Sequence, residues 1–222
     1  MGNLLGPGVV PESRRVAKYI IKPAMARGLL IGLVVVVILV GGTLAWAVSV
    51  SNQLVVAEQN VNEKWAQVQN VYQRRADLVP NLVETVKGFA AQERTVLEEV
   101  TKARASATAI QLSPQALSDP KAVERWQAAQ NQLGGALSRL LVTVERYPDL
   151  KSNANFLALQ TQLEGTENRI TVERRRFNEA VRDYNTRLRL FPGSVVASMT
   201  GYAPKAFFEA APDAATAPKV KF

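Results

Sequence analysis

Twenty-three consecutive residues, GLLIGLVVVVILVGGTLAWAVSV from Gly28 to Val50, carry no charge. At about 1.5 Å per residue, a helix of that length crosses a hydrocarbon core of roughly 30 Å. The run therefore predicts a transmembrane helix over residues 28–50. Before it stand Arg14, Arg15, Lys18, Lys22 and Arg27 against Glu12 alone, and the first charges after it are Glu58, Glu63 and Lys64. Basic residues stay cytoplasmic, so residues 1–27 are expected inside the cell and everything from Ser51 onward outside the cytoplasm. Ala45-Trp46-Ala47 also fits the small-x-small pattern of a cleavable signal peptide. The run is longer than the usual apolar region of such peptides and nearly thirty residues precede it, so an uncleaved anchor is the expectation.

The 222 residues include no Cys and no His. A disulfide framework, a thiolate nucleophile, a zinc site of the usual kind, a His-based triad and a lipoprotein anchor are thereby excluded. The pI of about 9.9 is the range of a nucleic-acid binder, but residues 1–50 carry 5 basic and 1 acidic residue, and the remainder 22 and 18. Half of the formal +8 thus belongs to the flank of the span. No finger, helix-turn-helix or aromatic-rich basic sheet follows, and no nucleic-acid partner is expected; the lipid bilayer is.

Beyond Ser51 the apolar period is helical. Leu54, Ala57, Val61, Trp65, Val68, Tyr72, Val79, Leu82, Val86, Phe89, Val96, Val100, Ala103, Ala107 and Ile110 form one seam interrupted by Arg75 and Glu93. Pro80 removes a backbone donor, which predicts a kink or restart between Asp77 and Asn81. Asp119-Pro120 reads as N-cap and first turn of a further helix, with a face from Val123 through Trp126, Gln130 and Leu133 to Tyr147; Gly134-Gly135 within it weakens it or admits a close neighbour. The longest pattern runs from Phe156 to Phe191 and stops at Pro192-Gly193. The predicted class is all-α: a single N-terminal transmembrane helix at 28–50, an antiparallel bundle of long helices over 51–192, a short amphipathic element over 193–210 and a disordered tail over 211–222. Val195, Val196, Met199, Tyr202, Phe207 and Phe208 are expected to fold back and be covered either by the bundle, the more economical cover because Pro192-Gly193 lets the chain reverse, or by the membrane interface.

VVAEQNVNEKWAQVQNVYQRRADLVPNLVETVKGFAAQERTVLEEVTKARA, followed later by FNEAVRDYNTRLRLFPG, resembles the LemA family of bacterial membrane proteins over residues 44–208. The most specific pieces are Arg74 to Leu82 and Phe177-Asn178 with Tyr184-Asn185. The resemblance implies long helices beside one anchor in the bacterial cytoplasmic (inner) membrane. It implies no activity and no catalytic residues; some members are associated with shaping internal membranes such as those of magnetosomes.

Two groups are candidate structural or interaction sites. Arg74, Arg75, Asp77 and Asn81 surround Pro80, and the expectation is a satisfied kink with an Arg–Asp pair, with a ligand or partner site as the alternative. Phe177, Asn178, Tyr184 and Asn185 share a stripe, the two amides seven residues apart, and buried Asn commonly fixes helix register. The Arg-rich end of the last long helix reads as a solvated face that could also meet lipid headgroups, and Gly28-x3-Gly32 is a weak helix-contact motif. No acidic pair has metal-ligand spacing, and no phosphate loop or GxSxG is present, so catalytic, cofactor and metal residues are all expected to be none. These readings predict a non-enzymatic, membrane-anchored bundle acting by self-association as a homo-oligomer, by contacts with other envelope proteins, or by membrane organisation. The alternative is an extracytoplasmic ligand-binding or sensor module signalling through a partner, since about 27 cytoplasmic residues are too few for a transmitter.

Overall fold

A computed structural model describes residues 23–209. Most of the expected cytoplasmic segment, residues 1–22, and the expected tail from 211 lie outside the described residues. Among those described there is no strand: the order is α1 (Pro23–Phe89), α2 (Arg94–Ala109), a 3₁₀ turn (Gln115–Ser118), α3 (Pro120–Val144), α4 (Pro148–Lys151), α5 (Ala154–Arg189) and α6 (Gly193–Thr200). The chain divides into two compact units, Met1–Trp46 and Ala47–Phe222.

In the first unit the apolar side chains from Leu29 to Leu44 stand in the open, Leu29 at 70% and Ile38 at 66% exposure. A soluble protein would bury such a face.

The second unit is an antiparallel bundle. Trp65 of α1 meets Phe177 of α5, and Arg74, further along α1, meets Gln162, earlier in α5. α2 opposes α3 in the same sense, with Glu99 against Arg139 and Ala107 against Gln130. Two apolar clusters lie along the bundle. One gathers Val50, Leu54, Val61, Trp65, Trp126, Phe177, Tyr184 and Phe208; the other gathers Val79, Leu82, Val86, Val100, Leu133, Leu140 and Phe156. α1 supplies the seam of both.

α1 continues through Pro80, so of the kink or restart expected at Asp77–Asn81 the restart does not occur. Proline lacks the N–H that would reach the carbonyl four residues earlier, that of Ala76. The Arg104 side chain on α2 fills the place, its Nε donating to Ala76 O at 2.8 Å. The chain breaks instead at residues 90–93, where Glu93 N donates to Ala90 O at 3.0 Å. The seam slips there: Phe89 is exposed and Ala90 takes the interior position. Glu93, which interrupts the sequence pattern, belongs to this turn, and its carboxylate accepts from the Tyr147 hydroxyl at 2.6 Å and from Arg146 at 3.0 Å.

The other helix ends follow their local chemistry. Asp119 caps α3, its carboxylate accepting from Lys121 N at 3.0 Å with Pro120 in the first turn. Asn153 caps α5 through Asn155 N and Phe156 N. The turn into α6 requires glycine at 193, since a Cβ there would fall 2.0 Å from the Arg187 carbonyl oxygen. Gly201 ends α6 with φ 78°.

Arg104→Ala should destabilise the bundle by about 1–3 kcal/mol, the cost of leaving a buried carbonyl without a donor. In a Pro80→Ala background, where residue 80 regains its N–H, the same change should cost much less. Denaturant unfolding of the full chain in micelles, followed by helical circular dichroism, measures both; equal costs in the two backgrounds would refute the assignment.

Candidate functional site

Arg75 interrupts the apolar seam of α1, yet it is only 4% exposed. Its Nη2 donates to both the backbone O and the side-chain Oε1 of Gln130 on α3, each at 2.9 Å, and its Nη1 reaches Glu167 of α5 at 3.1 Å. Gln130 in turn donates its Nε2 to Ala107 O at the end of α2, 3.0 Å away. One guanidinium and one amide thus join α1, α2, α3 and α5. The Arg75 plane sits 4.9 Å from the centre of the Tyr72 ring, a cation–π distance. Gly134 lies beside the group, and a Cβ there would meet Arg75 Nη1 at 3.7 Å, an ordinary van der Waals distance.

The other candidates near Pro80 do not gather round it. Arg74 turns outward to Gln162 Oε1 at 3.1 Å, Asp77 accepts from Gln73 Nε2 at 2.7 Å, and Asn81 is exposed. Arg75 pairs with Glu167 rather than with Asp77, and the vacancy at the proline belongs to Arg104.

The second group converges on the chain end. Residues 203–209 run extended along α5, held there by hydrogen bonds to the backbone of Ala203, Lys205, Ala206, Phe208 and Glu209. Asn185 and Lys205 exchange two hydrogen bonds, Asn185 Nδ2 to Lys205 O and Lys205 N to Asn185 Oδ1, both 2.9 Å. Asn178 does the same with Phe208, at 3.0 and 2.9 Å. The spacing explains the pattern. Seven residues of helix rise about 10.5 Å, and three extended residues span about 10 Å, so 178 and 185 match 208 and 205. The two asparagines therefore clamp this strap to the bundle, where register between helices was the expectation.

Other contacts complete the strap. The Tyr184 hydroxyl donates to Ala203 O at 3.2 Å, and Ala206 N to Leu117 O at 2.8 Å. Gln127 and Arg174 both donate to Glu209 O. Lys205 is buried and pairs with Glu58 of α1 at 2.9 Å. Phe208 enters an aromatic cluster with Phe177, Trp126 and Trp65, ring centres 5.0 to 6.0 Å away. Trp65 places its indole N–H on Leu112 O at 3.0 Å, tying down the loop after α2. Val196 and Ala197 are buried as well, but Val195, Met199 and Phe207, expected under the bundle or at the membrane interface, are exposed.

This arrangement binds chain to chain. A cleft of about 190 Å³ between α1, α2 and α3 is lined by amides, apolar groups and aromatic rings such as Gln69, Tyr72, Gln73, Trp126 and Gln130, with no charged side chain. Burial raises the Tyr72 pKa above its ordinary value, against the opposing pull of Arg174 and Arg75, and burial likewise raises that of Tyr184. Both phenols keep their protons at neutral pH. Among the described residues no three carboxylates converge as a metal site would require.

Sequence reasoning missed Arg104, Glu167 and Lys205. Only Lys205 left a signal, as a lone charge after fifteen uncharged residues, 190–204.

Comparison with known proteins gives a consistent picture. The sequence pattern of the LemA family matches residues 64–222. The chain is 28% identical over 177 residues to magnetosome protein MamQ of Magnetospirillum gryphiswaldense, covering 72% of this chain and 65% of that one. It is 26% identical over 177 residues to magnetosome protein MamQ 2 of Paramagnetospirillum magneticum, with the same coverage. The chain therefore spans 65% of the length of these relatives.

Asn185→Ala should remove two hydrogen bonds and leave the buried Lys205 amide and carbonyl unpaired, a loss of about 2 kcal/mol or more. Limited proteolysis should then cut within residues 203–209 before any helix. Arg175→Ala, on an exposed side chain, should change the bundle by less than about 0.5 kcal/mol. Equal protease resistance of the Asn185 variant and the unaltered chain would remove the strap from the account.

Proposed function

The chain belongs to the LemA family, and from that premise we propose that it is a single-pass anchored helical bundle with a non-enzymatic role, acting by self-association, by contacts with other envelope proteins or by organising the membrane that holds it. Family, relatives and one helix of spanning length support a membrane-associated protein. The proposed placement is the bacterial inner membrane, with the N-terminus cytoplasmic and the bundle outside, in keeping with Arg14, Arg15, Lys18, Lys22 and Arg27 ahead of the span.

The observation that carries this reading is the fate of the polar side chains. Arg75, Gln130, Asn178 and Asn185 are engaged with the chain's own backbone and side chains. Outward stand the apolar residues of the first unit, none of whose most apolar window is buried. A protein built this way presents surfaces rather than a reaction centre. The relatives named as magnetosome proteins favour the membrane-organising form of the proposal.

The test is the mass of the full chain extracted in mild detergent, measured by light scattering with the detergent subtracted. A defined particle of several copies is expected. A particle of one chain at all concentrations would end the self-association reading.

A further inference from the structure

The segment 190–204 carries fifteen residues without a charge. Its inner side completes the core: Val196 and Ala197 of α6 join Leu188, Leu54 and Val50 in one cluster. Its outer side does not. Leu190 is 61% exposed, Phe191 75%, Val195 49% and Met199 81%. Val195 and Met199 are four apart on α6 and so share a face. Leu190, Val195 and Met199, large apolar side chains exposed together, mark a contact surface.

Where this face sits decides what it meets. The turn into α6 touches Leu54, since a Cβ on Gly193 would lie 3.8 Å from Leu54 Cδ2. Leu54 follows Val50, the last residue of the predicted span, by four residues, about 6 Å of helix. The polar layer on each side of a hydrocarbon core is about 5–7 Å deep. The α6 face is therefore at the depth of the headgroups if the run 28–50 spans the core. α1 exposes Val48, Val55 and Val56 over the same stretch.

The charges agree. Arg187 and Arg189, one turn before the patch, are exposed and make no ion pair among the described residues, whereas Arg176 and Arg182 pair with Glu173 and Asp183. Apolar side chains bordered by unpaired arginines form the composition that lies in a bilayer interface, the apolar groups entering the acyl boundary and the guanidinium groups meeting phosphates.

We propose that the turn after α5 and the outer face of α6, Leu190, Phe191, Val195 and Met199, rest in the interface of the same bilayer that the N-terminal helix spans, with Arg187 and Arg189 on anionic lipid headgroups. The bundle would then be held at two points, which fixes its tilt on the membrane. This rests on the anchored reading above, and its test separates the two.

Because the chain has no Cys, single-cysteine variants need no background removal. Nitroxide labels at Met199, Leu190, Ser152 and Val36 of the full chain, in vesicles of phosphatidylethanolamine and phosphatidylglycerol, report depth by the ratio of collision with oxygen to collision with a water-soluble nickel chelate. The labels at Met199 and Leu190 should show a ratio severalfold above that at Ser152, approaching Val36, and Arg187→Gln with Arg189→Gln should lower it. Aqueous values at 199 and 190 with a lipid value at Val36 would overturn this inference and leave the anchor standing. An aqueous value at Val36 would overturn the anchor itself. Low collision with both reagents at 199 and 190 would also overturn it, by showing a second protein chain over the patch.

Discussion

The bundle is organised round one buried guanidinium. Arg75 lies between the two apolar clusters, at the one point where the seam of α1 is not apolar. Its partners stand on α3 and α5 and, through Gln130, on α2. Apolar contacts tolerate sliding by small distances, whereas hydrogen bonds to a planar fork do not. A guanidinium taken out of water is costly unless its donors are met. Here Nη1 and Nη2 are met while Nε is buried without a partner among the described residues, and Glu167 is itself 44% exposed. The network therefore contributes geometry more than stability: it admits one relative register of the four long helices.

The same use of polar groups recurs at the other features. Arg104 supplies a donor to the carbonyl that Pro80 leaves open, and so α1 can serve both clusters. Asn178 and Asn185 give an extended segment the hydrogen bonds that a neighbouring strand would give it. That closure brings Phe208 onto Trp65 and Trp126. Apolar side chains are exposed along the first unit and at the end of α5, whereas elsewhere the bundle surface carries charged side chains such as Glu84, Lys87, Arg139, Arg146 and Arg182.

Much of this was legible in the sequence. The period of three and four placed Leu54, Trp65, Val79, Leu82, Phe177 and Tyr184 inside, where they are, and Asp119-Pro120 marked the start of α3. The continuity of α1 through Pro80 was not legible, because the compensating donor lies 24 residues later on another helix and leaves no periodic trace. The break at 90–93 contains neither proline nor glycine, so the seam read straight across it and Phe89 was assigned inward in place of Ala90. Asn178 and Asn185 stand out in the sequence as two amides seven residues apart. Their partners are backbone atoms of Lys205 and Phe208, and backbone has no sequence signature.

Hydrogen exchange of the full chain carrying Arg75→Met tests the central role of this residue most directly. Methionine fills similar space without donors, so the Gln130 backbone oxygen and Oε1 lose their donor while the apolar clusters stay intact. Protection should fall together in α1 near Tyr72–Val79, in α3 near Gln130, in α5 near Glu167 and at the end of α2 near Ala107, with the strap at 203–209 little changed. Loss confined to the turn of α1 that bears residue 75, or no loss at all, would contradict the claim that one buried guanidinium sets the register of the bundle.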